Sequence, residues 1–139
     1  MDATVALAAD HAGFALKDAL VELVRAAGLV PLDLGTHDAT SVDYPDIADR
    51  LAAALASQGV LVCGTGIGIA IAANRHRHVR AAVCHDATTA RLAREHNDAN
   101  VLCLGARIVG GEVAADALRA FLATGFAGDR HARRVAKLG

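Results

Sequence analysis

The sequence predicts an α/β fold, a doubly wound parallel sheet of five strands with helices on both faces. Three observations predict it. Short, almost continuous apolar runs alternate with longer stretches of helical periodicity, the pattern of buried parallel strands joined by crossover helices. Hydrophobic residues make up 54% of the 139 residues but aromatics only 3%, so small aliphatic side chains must build the interior and elements can approach closely. With only two prolines and no linker-like segment, residues 1–139 read as one Rossmann-like domain, long enough for a sizeable core.

The elements follow in order. Residues 4–10 (TVALAAD) read as a buried strand. In residues 14–28, Leu16, Leu20, Leu23 and Val24 recur at helical spacing, and Gly28 is placed to end the helix. Residues 29–35 form a second strand, which Pro31 assigns to an edge or a late start. Residues 36–44 are polar and loop-like, and Pro45 opens a helix running to residue 58. VLVC (60–63) is a strand, and IGIAIAANR (67–75) a helix that begins inside a glycine-rich turn. Residues 79–84 are a strand, and 86–97 a helix with Asp86 as its N-cap. Residues 101–105 are the fifth strand. Residues 111–124 and 129–138 are the last two helices, the final one basic.

Composition excludes several function classes. The formal net charge is −1, so no general attraction to nucleic acid or to an anionic membrane is expected. No apolar run approaches the roughly 20 residues of a membrane span. The first residues, MDATVALAADH, lack the basic flank of a secretory signal. Three cysteines with no close pair argue against a disulfide framework, and a cytoplasmic location is the expectation. NRHRHVR (74–80) is short and without aromatics, and reads as a solvated helix end rather than a nucleic-acid patch. No clustered Cys/His spacing supports a metal site.

Ligands of open α/β sheets bind beyond the carboxyl ends of the strands. That rule selects Asp10-His11, Cys63-Gly64-Thr65-Gly66 and Cys84-His85-Asp86. The turn after Cys63 is the most informative. Alternating glycines at 64, 66 and 68 let backbone N–H groups point into one concavity, and a helix start adds partial positive charge. Such a turn suits an anion, or an oxygen on which charge develops, and it draws a thiol placed there toward its thiolate. Sharper templates fail. No Lys follows the glycines as in a P-loop, GTGIG lacks the G-x-G-x-x-G spacing, Ile69 stands where a cysteine phosphatase needs Arg, and no C-x-x-C is present. A core cysteine beside a tight turn explains Cys63 on spacing alone as well as a reactive one does.

Other polar residues carry the same two readings. Asp10 and His11 are a helix cap and surface histidine, or site groups. Asp43-Tyr44 is turn chemistry or a substrate contact. His96 and Asn97 at a helix end either complement the dipole or act on a ligand. Arg130 and Arg134, four apart on one helix face, are a solvated basic face or a phosphate clamp. Cys84 and Cys103, inside apolar strands, read as core.

AADHAGFALK (8–17), DLGTHD with SVDYPD (33–46), CGTGIGIAIAANR (63–75), REHNDANVLCLGAR (94–107) and GDRHARRV (128–135) together closely resemble the type B ribose-5-phosphate isomerases and the related allose- and galactose-6-phosphate isomerases. The five motifs run in register from the first strand to the last helix. The resemblance implies metal-free and cofactor-free aldose–ketose isomerisation of a sugar phosphate through an enediolate. It also implies a homodimer or homotetramer with active sites shared between subunits. By position, Cys63 is the base moving a proton between C1 and C2, and Thr65 assists at the substrate oxygens. The backbone of Gly64, Gly66 and Gly68 holds the enediolate. His96 opens the sugar ring with Asn97 beside it, and Asp10 and Tyr44 contact the sugar. His11, Arg130, Arg134 and Arg107 match phosphate-binding positions. One branch of the family uses a Glu in the following helix turn in place of the Cys; Ile69-Ala70 here implies the cysteine branch, with Ala70 where many members carry Ser. Other functions left open are a hexose-6-phosphate isomerase, a non-catalytic sugar-phosphate-binding module and a thiol redox protein.

Overall fold

The computed structural model describes residues 3–139. Its elements are β1 (Thr4–Ala9), α1 (Phe14–Ala26), β2 (Val30–Asp33), α2 (Tyr44–Ala54), β3 (Gln58–Cys63), α3 (Ile67–Ala73), β4 (Ala81–Val83), α4 (Ala87–Asn97), β5 (Val101–Gly105), α5 (Gly111–Ala123) and α6 (Arg130–Ala136). The strands form one parallel sheet in the order β2-β1-β3-β5-β4.

Alternation along the strands decides which helices they meet. On one face, Val5, Leu7 and Ala9 of β1, Val60 and Val62 of β3, and Leu102 and Leu104 of β5 pack with α1, α4 and α5. On the other, Ala6, Ala8, Leu61, Cys63, Val101 and Cys103 pack with Ile47, Ala48, Leu51 and Ala52 of α2 and with Ile69, Ala70 and Ala73 of α3. The strands are apolar on both sides because both sides are covered. The small residues on α2 and α3 allow the close approach that the scarcity of aromatics implies. The one large aromatic of the core is Phe121, fully buried on α5.

Pro31 lies in β2, at the sheet edge, where it was expected. The backbone N–H groups of Val30 and Leu34 point inward, to Ala3 and Leu7. N–H groups alternate along a strand, so those at positions 31 and 33 face the open side, and the one that Pro31 lacks is missing from the outer edge, where a free donor would invite pairing with another chain. Asp86 caps α4 as expected: its carboxylate accepts from the Thr89 N–H at 2.7 Å, and the Thr89 hydroxyl accepts from the Asp86 N–H.

Some bounds differ from expectation. Helix α2 is capped at Asp43, so Pro45 is its second residue, not its first, and the helix stops at Ala54. Residues 58 and 59, expected in the helix or the following turn, belong to β3, where Gln58 pairs with Val5 and Gly59 with Val101. Strand β4 is only three residues long, because the Arg80 N–H is drawn off to the Asn100 side chain at 2.7 Å. The 74–80 segment is solvated as expected, with Asn74, Arg75, Arg77 and His78 exposed, and it is tied to α2 by His76 to Asp49 and His78 to the Ala52 carbonyl, each at 2.8 Å.

Candidate active site

Strand order brings the carboxyl ends of β1, β3 and β5 side by side, and the helices that follow leave to opposite faces. After β3 the chain enters α3 on one face; after β1 and β5 it enters α1 and α5 on the other. A crevice opens where such connections diverge. Cys63 stands at the tip of the middle strand, between those diverging connections.

Three glycines make the approach possible. A Cβ on Gly13 would lie 2.6 Å from the Val62 carbonyl oxygen, so the turn after β1 rests directly on β3. A Cβ on Gly105 would lie 2.5 Å from the Thr65 carbonyl, so β5 rests on the turn after Cys63. Gly66 has φ +80°, a conformation that side chains disfavour, and its Cβ would sit 2.9 Å from the Leu104 carbonyl carbon. Backbone bonds lock the two turns together: Ala106 N–H to Cys63 O and Arg107 N–H to Gly64 O, both 2.9 Å.

The sulfur is nearly buried, with Cys63 5% exposed, and the Gly66 N–H donates to it at 3.2 Å. The left-handed turn at Gly66 aims that donor back at the thiol. The Ile67 N–H donates to the Thr65 Oγ1 at 3.2 Å, which leaves the exposed Thr65 hydroxyl proton free to donate outward. Around this centre stand four more of the expected residues. Asp10, 6% exposed, accepts the Ala12 and Gly13 N–H groups on Oδ1, at 3.0 and 3.2 Å. His11 accepts the Val42 N–H on Nδ1 at 3.2 Å, which places its remaining proton on Nε2. The Tyr44 ring covers Gly68, where a Cβ would meet its Cζ at 2.7 Å. The Arg107 guanidinium covers Gly64, whose Cβ would meet its Nη1 at 3.1 Å.

The other expected residues are elsewhere. Helix α4 runs back from the tip of β4 to the start of β5, so His96 and Asn97 in its last turn lie at the amino end of the sheet. There Asn100 accepts the Gly59 N–H and donates to the Arg80 carbonyl. Gly59 and Cys63 are four residues apart on one extended strand, about 13 Å. Arg130 and Arg134 sit exposed on α6, which leans on the same end of α4. One chain therefore holds Cys63, Thr65, Asp10, His11, Tyr44 and Arg107 together, and holds His96, Asn97, Arg130 and Arg134 together, at opposite ends of the sheet. The tip of β4, with Cys84-His85-Asp86, is separated from Cys63 by β5 and takes no part in the crevice.

The three thiols differ. Both Cys84 and Cys103 are buried as expected, Cys103 inside β5 and Cys84 just past the end of β4 rather than within it. Burial pushes the Cys84 thiol up to about 11, with the Asp86 charge adding to the rise and a Thr89 hydrogen bond opposing it. Burial first, then the neighbouring thiols, push Cys103 far above its ordinary range. No disulfide joins them. Among the described residues no group of three His, Cys, Asp or Glu side chains could hold a metal ion.

Two residues of consequence escaped the sequence reading. Lys17 is fully buried on α1, its Nζ 2.8 Å from Asp33 Oδ1 and 2.7 Å from Asp18. Asp33 also accepts the Gly35 N–H, and Gly35 O and Thr36 N–H bond to Ala9, next to Asp10. The signal was present: 17, 20, 21 and 24 form one helical stripe, and a lysine in it needs a partner. The second is His131, whose ring stacks on His96 at 4.4 Å between centroids and 15° between planes.

The profile of the Ribose/Galactose Isomerase family matches residues 5–138. A putative sugar phosphate isomerase of Rickettsia bellii is 44% identical over 138 residues, with 96% of each chain covered. Ribose-5-phosphate isomerase B of Escherichia coli is 42% identical over 135 residues, covering 94% of this chain and 91% of the relative. The crystal structure of a ribose 5-phosphate isomerase from Thermotoga maritima superposes with a TM-score of 0.94 at 45% identity, covering 97% of this chain and 96% of that one. A match spanning nearly the whole sequence, together with the same doubly wound sheet, shows that the chain belongs to the ribose/galactose isomerase family.

Proposed function

We propose that this enzyme interconverts ribose 5-phosphate and ribulose 5-phosphate, with Cys63 as the base, at a site completed by a second copy of the chain. Membership of the family supports the coarse activity, isomerisation of a phosphorylated sugar. The observation that carries the finer reading is the thiol at the strand tip with the Gly66 N–H aimed at its sulfur, among Asp10, Thr65, Tyr44 and His11.

The chemistry runs in two stages. Most of an aldopentose phosphate is cyclic, so a proton must reach the ring oxygen while one leaves the C1 hydroxyl; His96 of the partner subunit supplies the first, with Asn97 of the partner subunit holding the hydroxyl. The Cys63 sulfur then takes the C2 proton, and the electron pair of that C–H bond moves through C2 and C1 onto O1. The resulting enediolate is weakly stabilised by itself. Hydrogen-bond donors of the turn at Gly64 and Gly68 and the free Thr65 hydroxyl proton bear the developing charge; one such donor is worth about 2.7–4 kcal/mol where measured in other enzymes. The proton moves from O2 to O1, and the thiol returns its proton to C1, leaving the ketose. Asp10 takes a sugar hydroxyl on the oxygen its backbone bonds leave open. The Nε2 proton of His11 and the Arg107 guanidinium face the phosphate from this subunit, Arg130 and Arg134 of the partner subunit from the other. Remote phosphate binding of this kind holds the reacting carbons near the base.

Two subunits are required because His96 and Cys63 lie at opposite ends of one sheet. A twofold dimer that sets the carboxyl ends of one sheet against α4 and α6 of the other makes two complete sites. Mixing two inactive variants tests this and the base together. Cys63→Ser and His96→Gln are each expected to lose most ribose 5-phosphate turnover while folding normally. After exchange of subunits at equal amounts, half the dimers carry one intact site, and activity returns to about a quarter of wild type. No recovery, with exchange verified by mass, refutes shared sites; wild-type turnover by Cys63→Ser refutes the base. Competing ribose 5-phosphate against allose and galactose 6-phosphates by kcat/KM decides between the pentose and hexose readings.

A further inference from the structure

Three features stand outside the site as described: the buried Lys17–Asp33 pair, the cavity of about 510 Å³ beside α6 lined by Arg77, Arg80 and Leu138, and the His96–His131 stack. A histidine that moves a proton ordinarily has its ring plane fixed by a hydrogen bond on the second nitrogen. Among the described residues, the imidazoles with a hydrogen-bond partner are those of His11, His76 and His78. His96, half-buried in the last turn of α4, has a face-to-face ring contact instead.

Helix α6 is suited to supplying that contact. It has no buried residue, so no core packing sets its pose. Its approach is anchored before it starts, by the Ala127 N–H to the Glu95 carbonyl at 3.0 Å and by Arg94 Nε to the Thr124 carbonyl at 3.0 Å. At about 100° per residue, Arg130 and Arg134 lie about 40° apart and His131 about 100° from Arg130. The arginines thus occupy one side of the helix, and His131 lies at the edge of that side, about 60° from Arg134, where its ring meets His96 of α4. His131 is held below its ordinary range, first by desolvation against α4 and then by His96, Arg130 and Arg134, with Asp129 opposing. A neutral ring can lie on its neighbour without setting two positive charges face to face.

We propose that His131 is a positioning residue for ring opening: its imidazole, stacked on His96 of the same chain, fixes the plane in which His96 meets the sugar ring oxygen across the subunit boundary. This rests on the reading of His96 as the ring-opening group. Because the start of α6 is anchored independently, loss of the ring should tilt His96 without withdrawing Arg130 and Arg134.

The test is His131→Ala beside His131→Phe, which keeps a flat ring and carries no titratable group. With ribose 5-phosphate, His131→Ala is expected to lower kcat by roughly 10- to 100-fold, the scale of a misplaced catalytic group. KM for ribulose 5-phosphate, which is acyclic and reports phosphate binding, should stay within about twofold of wild type, and His131→Phe should recover most of the lost kcat. In proton NMR, the ring-current displacement of the His96 ring signals should vanish in His131→Ala and persist in His131→Phe. Unchanged kcat in His131→Ala overturns the proposal. So does a rise in KM that matches the fall in kcat, since that marks general support of α6, and so does failure of His131→Phe to rescue. Absence of ribose 5-phosphate turnover in the wild-type enzyme would instead refute the function on which the proposal stands, and the NMR result would still report whether the stack exists.

Discussion

Replacing Gly66 by Ala tests the geometry around Cys63 most directly. Two costs follow from the structure. Gly66 has φ +80°, and an L side chain in the left-handed region costs about 1–2 kcal/mol. The new Cβ would also lie 2.9 Å from the Leu104 carbonyl carbon and 3.1 Å from the Gly105 nitrogen. Both atoms are backbone of a central strand and cannot swing aside as a side chain could, so overpacking adds about 1–3 kcal/mol. The sum, roughly 2–5 kcal/mol, should lower the urea midpoint by about 1–2 M at the slopes usual for small proteins. Relief by shifting the turn withdraws the Gly66 N–H from the sulfur, and displacement of a reacting group by about 1 Å costs on the order of a hundredfold in rate. Urea unfolding and kcat/KM for ribose 5-phosphate are the measurements. Gly125→Ala, where a Cβ meets nothing within 4 Å, is the matched control and should stay within about 0.5 kcal/mol of wild type. A Gly66→Ala enzyme with unchanged midpoint and unchanged turnover would show that neither the backbone conformation nor the close contact matters.

Lys17→Met should destabilise by about 1–3 kcal/mol in urea unfolding, less than the 3–5 of a fully buried broken pair, because water can reach the Asp33 and Asp18 carboxylates it leaves; a neutral result would remove the pair from the stability account. Burial opposes ionisation of Asp33, but hydrogen bonds from Lys17 and the Gly35 N–H and the Lys17 charge outweigh it, and the group is held below 3.8. Its contribution is therefore complete above about pH 4 and fades as pH falls through the lowered value, so the stability gap between wild type and Lys17→Met should narrow there and stay constant from pH 5 to 7. Alkylation of the folded enzyme near pH 8 should mark Cys63 and spare Cys84 and Cys103, whose thiols are buried and pushed up; peptide mass mapping before and after unfolding checks it, and early labelling of Cys84 would contradict its burial. Phe121→Ala should cost about 3–5 kcal/mol in urea unfolding, since the ring is fully buried and its loss leaves a cavity in the cluster between α5 and the sheet.

Much of the fold was legible because its signals are local. The strands read as apolar runs since both faces are covered, Asp86 announced its cap, and Pro31 marked an edge by the donor it lacks. The glycines after Cys63 announced a turn but not their separate reasons. One serves a left-handed backbone, one makes room for the Tyr44 ring, and one lies under Arg107. Gly13 and Gly105 gave no sign, because the atoms that exclude a Cβ there come from β3 and from the turn after it. Lys17 could have been read from its place on the buried stripe of α1. The partner that keeps it there, Asp33, lies on another element.

By itself the sequence determined which elements form and which residue types can carry proton transfer and phosphate binding. Hydrogen-bond range and side-chain period are short, and act between neighbours in the chain. The tertiary structure alone decided that β5 inserts between β3 and β4, and that α4 carries His96 to the far end of the sheet from Cys63. Strand order is set by how whole faces bury against one another, and no residue-level pattern encodes a distance measured across the sheet.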